Sequence, residues 1–89
     1  MGHRNVLVIL TDELRRDSLG CYGNPIAKTP NIDKLAADGI QFDNAYTASP
    51  ICVPARASIA TGLYVHETAC WSNAQPYTGT PKSWGHVLK

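Results

Sequence analysis

Residues 5–13 read "NVLVILTDE". Residues 5–10 are almost continuously apolar and β-branched, the composition of a strand buried on both faces of a parallel sheet. The run ends abruptly at Thr11, Asp12 and Glu13. Two acids at the carboxyl end of such a strand stand where open α/β sheets place their ligands. Carboxylates there suit a hard divalent cation. The alternative is a solvated turn, or a cap for the following "ELRRDSLG". This stretch decides the fold class: a strand of this kind requires an α/β domain.

Outward from it, residues 19–30, "LGCYGNPIAKTP", are rich in Gly, Pro and Asn and predict an irregular loop. Thr29 and Pro30 read as an N-cap followed by proline at the first helical position. Ile32, Leu35 and Ala36 make the apolar stripe of a short helix, and Gly39 its stop. Residues 40–48, with Ile40, Phe42 and Tyr46 on one face, predict a second strand. A second short helix is predicted over 54–61, with Pro54 at its first position and Gly62 as terminator. Residues 63–80 read as extended and loop-rich, and Pro81 as the opener of a third helix running to residue 89. Two strands and three short helices make a poor self-sufficient core, and a helix reaching Lys89 has no stop signal. The expectation is an N-terminal portion of one larger catalytic domain over residues 1–89, completed by further sequence or by another chain.

The bulk properties narrow the function. The chain has 89 residues, 44% hydrophobic and 17% charged, with net charge +1. That balance gives no electrostatic reason to expect nucleic acid or an anionic membrane as partner. No apolar run approaches the roughly 18 residues of a membrane span. The basic start "MGHRN" precedes too short an apolar run, without a cleavage site, to read as a signal peptide. Cys21, Cys52 and Cys70 are odd in number and lack C-x-x-C spacing, which argues against a disulfide framework or a zinc site. A cytoplasmic setting is expected.

The second chemical constellation is "SPICVPARASIATG", residues 49–62. Cys52 stands at the start of the predicted helix, where unpaired amides favour negative charge. A nearby arginine adds to that preference. Arg56, read as a first-turn cation, opposes the helix dipole at a cost of roughly 0.3–1 kcal/mol. It therefore calls for an offsetting carboxylate or anionic ligand. Cys52 and Arg56 are also spaced i, i+4 and meet if the helical turn begins early. The alternative is a small buried thiol at Cys52 and an ordinary surface arginine.

Taken in order, the strand, "TDE", "LGCYGN", "TPNIDKLAADGIQF", "AYTASPICVPARASIATGLY" and "WSN" resemble the N-terminal part of the sulfatase family, within the alkaline-phosphatase-like superfamily. The resemblance covers nearly the whole chain, and Cys52-Val53-Pro54-Ala55-Arg56 matches the family's C-x-P-x-R signature. It implies a sandwich with a largely parallel central sheet and helices on both faces. It also implies hydrolysis of sulfate esters, on a small molecule or a glycan.

By that resemblance, Cys52 is the residue that a maturation enzyme oxidises to Cα-formylglycine. One hydroxyl of the hydrated aldehyde attacks sulfur and releases the alcohol. The second then loses its proton, the C–O bond to sulfate breaks, and the aldehyde is restored. The resemblance further implies a divalent cation, calcium first, with magnesium or manganese as alternatives. Asp12, Glu13 and the modified Cys52 would serve as ligands. Arg56 would hold the nucleophile and offset its charge. Asn73 matches an asparagine that lines the active site in related phosphonate monoester and phosphodiester hydrolases, and is expected to bind substrate. A polar loop residue is the alternative there.

Two positions depart from the pattern. Ala55 replaces the commoner serine, and Glu13 replaces the aspartate of many sulfatases. Hydrolysis of phosphonate or phosphate diesters with the same nucleophile, or a non-catalytic fragment, are the competing readings. His66 and His86 are not placed in the site, because the family's catalytic histidines come from later sequence. The same holds for its catalytic lysine and its remaining metal ligands.

Overall fold

Residues 2–88 are described by a computed structural model. Two compact units are present, Met1–Asp43 and Asn44–Lys89.

In the first unit, Thr29 and Pro30 behave as the sequence predicts. Helix α1 spans Pro30–Asp38, with Thr29 as N-cap and proline at the first position. Thr29 does not use its hydroxyl on the helix amides. Thr29 Oγ1 accepts from the Gly20 N–H at 2.9 Å and donates to Asp33 Oδ1, also at 2.9 Å. The same Asp33 oxygen accepts from the Cys21 N–H at 2.8 Å. One carboxylate on the first turns of α1 thus ties the "LGCYGN" loop to the helix. The loop is shaped by two single turns of 3-10 helix, Arg16–Ser18 and Gly20–Tyr22. Asn24 closes it, accepting from the Ile26 and Ala27 amides while donating to the Asp17 carbonyl at 2.7 Å. The Tyr22 hydroxyl donates to the Phe42 carbonyl at 2.7 Å, and Arg16 lies 4.6 Å above the Tyr22 ring. Arg15 pairs with Asp17, whose hydrogen bond and charge raise the guanidinium above its usual range.

Neither predicted strand forms. Among the described residues no backbone is paired into a sheet. Residues 6–10 are between 50% and 84% exposed, and Ile40 and Phe42 are exposed too. The reason is physical. A parallel strand is held by ladders to its neighbours, and a run that finds no neighbour gains nothing from its β propensity.

The second unit holds the buried side chains. Helix α2 spans Cys52–Thr61, helix α3 Val65–Thr68 and helix α4 Trp84–Val87. Among the described residues Pro54, Ala57, Ser58, Thr68 and Cys70 are buried, the first three on the face of α2 opposite Cys52, and α2 packs on α3 and on α4. Gly62 ends α2 at φ 73°, the left-handed position that favours glycine, and its N–H bonds the Ser58 carbonyl at 2.8 Å.

Three expectations for this unit are corrected. Helix α2 begins at Cys52, two residues before the predicted start. The segment predicted as loop contains α3, where Glu67 Oε2 accepts from the Tyr64 N–H at 2.9 Å. Pro81 does not open the third helix: Ser83 caps it, with His86 Nδ1 accepting from the Ser83 N–H at 3.1 Å. The helix also stops short of the predicted run to residue 89: it ends at Val87 with Leu88 as its C-cap, and only residue 89 itself lies outside the described residues.

Candidate active site

Cys52 is the first helical residue of α2, and Ile51, in extended backbone, is the N-cap. The first intrahelical bond runs from the Ala55 N–H to the Ile51 carbonyl at 3.0 Å. Pro54 is therefore the third residue of the helix. Proline is tolerated there because an amide at that position has no intrahelical partner. Pro54 is fully buried and anchors the first turn from beneath. Cys52 is exposed, whereas Cys70 is buried and Cys21 half-buried.

Arg56 lies one full turn after Cys52 on the same helix, and is exposed. The i, i+4 spacing places the two on one helix face. The start at Cys52 also moves Arg56 out of the first turn, so most of the anticipated dipole cost lapses, since that effect fades within a turn.

Asn73 belongs to the same unit. Its Oδ1 accepts from the Val53 N–H at 3.0 Å, across twenty residues of sequence. Asn73 is itself carried on a knitted turn. The Gln75 N–H bonds the Ser72 carbonyl at 3.1 Å, and the Trp71 N–H bonds Gln75 Oε1 at 3.1 Å. Sequence reasoning named Asn73 but did not foresee this contact. An asparagine offers no local signal for which distant amide it will meet.

Asp12 and Glu13 belong to the first unit and are exposed. Glu13 takes φ 54°, a left-handed conformation uncommon outside glycine. Both side chains offer the hard oxygen donors that Ca²⁺ or Mg²⁺ prefers. Among the described residues, however, no three His, Cys, Asp or Glu side chains gather into a metal site. Calcium takes six to eight oxygen ligands, so two adjacent carboxylates do not by themselves make a site for it.

The described residues therefore place an exposed cysteine at a helix start, a proline beneath it and an arginine one turn on. The family model described as Sulfatase matches residues 4–88. The chain belongs to the sulfatase family. Membership implies an alkaline-phosphatase-like fold for the whole domain. The sulfatase chain is 45% identical over 73 residues to an uncharacterized sulfatase, YidJ, of Escherichia coli, covering 82% of this chain and 15% of that protein. It is 34% identical over 85 residues to an N-acetylglucosamine-6-O-sulfatase of Bacteroides thetaiotaomicron, covering 96% of this chain and 15% of that one. It is 39% identical over 83 residues to the steryl-sulfatase of Homo sapiens, covering 91% and 14%. The sulfatase chain thus spans about one seventh of the length of these relatives. No solved structure matches it significantly. No helix among the described residues is long and apolar enough to cross a membrane.

Proposed function

We propose that the protein carrying this chain hydrolyses sulfate esters, with residue 52, converted from cysteine to formylglycine, as nucleophile. The observation that carries the proposal is the placement of Cys52: exposed, first in helix α2, with Arg56 one turn behind it, in a chain of the sulfatase family. A maturation enzyme must reach residue 52, and a substrate must reach it afterwards. Exposure serves both needs.

The chain's own residues have three tasks in this reading. Residue 52, as the hydrated aldehyde, supplies the attacking hydroxyl and a second hydroxyl whose deprotonation expels sulfate and restores the aldehyde. Arg56 keeps a positive charge beside the oxygens of residue 52. Pro54, buried, fixes the turn that presents residue 52. A divalent cation, calcium first, would supply charge neutralisation when bound. Asp12, Glu13 and residue 52 would be among its donors, and the rest of the catalytic domain would complete the set. The same remainder would pair residues 5–10 into the central sheet and bring the substrate-contacting loops. The relatives are named for sugar and steroid sulfates, so the substrate class proposed is a sulfate monoester of a small molecule or glycan.

The test uses the full-length protein produced with a competent maturation system. Intact mass should fall by ~18 Da at residue 52 on conversion of thiol to aldehyde. An aryl sulfate should be hydrolysed, and Cys52→Ala should abolish turnover. An unmodified Cys52, or a Cys52→Ala variant as active as wild type, would refute the reading. Faster hydrolysis of a matched phosphonate ester would move the assignment to that class.

A further inference from the structure

We infer that Asn73 is a positioning residue for the nucleophile, acting through the amide of Val53 and not on the substrate. This rests on the reading of residue 52 given above. A helix start leaves its first amides without intrahelical partners, and a side-chain oxygen at the N-cap ordinarily serves one of them. The N-cap of α2 is Ile51, which has no such oxygen. Asn73 Oδ1 takes that place from twenty residues away, at 3.0 Å from the Val53 nitrogen.

The contact bears on residue 52 because of peptide planarity. The Val53 N–H shares one rigid plane with the carbonyl and Cα of Cys52. Holding that N–H therefore holds the plane from which the nucleophile's side chain leaves. Only the oxygen end of a carboxamide can face an N–H donor, so the contact also fixes which way round the Asn73 amide sits. The turn beneath it is anchored: Cys70, three residues earlier, is buried against the same unit. The Gln75 N–H to Ser72 carbonyl bond closes the turn on the other side.

This placement makes a prediction opposite to that of a substrate contact. An aspartate at 73 keeps an oxygen acceptor at the same reach, and a helix start favours its charge. It loses the NH₂ donor that a sulfate oxygen would need, and adds repulsion toward an anionic ester. In the full-length matured protein, Asn73→Ala should lower kcat about tenfold, as a displaced nucleophile would. KM should stay within about twofold. Asn73→Asp should recover most of that kcat, whatever its KM. Hydrogen exchange should show the Val53 amide losing protection in Asn73→Ala and keeping it in Asn73→Asp.

An aspartate variant as slow as or slower than alanine overturns the inference in favour of direct substrate contact. An alanine variant with wild-type kcat but lower melting temperature reduces the contact to a structural one, and overturns it too. Unchanged Val53 protection in Asn73→Ala removes its basis. A wild type that is inert on sulfate esters with Cys52 unmodified refutes the functional reading and the contact's catalytic purpose together. The exchange result then stands or falls separately.

Discussion

Two residues of α2 carry the proposed site, and their positions set them apart from others of their kind. Cys52 is a thiol at the first helical position and is exposed, while Cys70 has the burial expected of a small apolar side chain. Arg56 sits one turn away on the same face. The proposed work of Arg56 is to keep a directional charge beside residue 52, and a guanidinium and an ammonium differ in that respect. Arg56→Lys in the full-length protein should lower kcat/KM on an aryl sulfate by roughly 10²-fold, with residue 52 still modified by mass. A lysine variant within about twofold of wild type would show that point charge alone suffices. That Cys52 and Arg56 share one helix, a turn apart, was legible in the sequence, but only conditionally on an early helix start. The sequence predicts Pro54 at the first helical position, and it stands at the third. Every position of the first turn tolerates a missing N–H, so the sequence around Pro54 does not distinguish them.

At the scale of elements, helix α1 was the most legible part, because its start and stop are local signals; its apolar stripe buries nothing, with Leu35 68% exposed. Less legible was what its first turns hold. Asp33 carries two hydrogen bonds from the preceding loop, and Gly20 comes so close that an added Cβ would stand 2.5 Å from Asp33 Oδ2. Gly20→Ala should therefore destabilise the protein by about 1–3 kcal/mol through overpacking. A denaturant midpoint unchanged from wild type would show that the carboxylate yields without loss. Helix α3 went unforeseen because Tyr64 is not a usual cap residue. The one clue was Glu67, three residues on, whose carboxylate reaches back to the Tyr64 amide. Strands at 5–10 and 40–48 were legible as composition and absent as structure. Their stability resides in partners, which no local pattern supplies.

At the scale of the whole molecule, the candidate residues divide between the two units. Asp12 and Glu13 fall in Met1–Asp43, and Cys52, Arg56 and Asn73 in Asn44–Lys89. Among the described residues no metal cluster forms, and the chain spans about one seventh of its relatives' length. The isolated 89-residue chain is accordingly expected to be inactive. Turnover of an aryl sulfate by that chain, above a Cys52→Ala control, would contradict this.

The exposed segment at residues 6–10 carries one more consequence. Five consecutive apolar residues without proline or charge are the composition that joins edge to edge with copies of itself. Arg4 precedes the run, and Asp12 and Glu13 follow it. Charges on both flanks oppose stacking in register, the role of gatekeepers beside an unavoidable hydrophobic strand. The carboxylates proposed for the cation would thus have an earlier duty. Until the run is covered, they help keep one copy of the chain from becoming the template for the next.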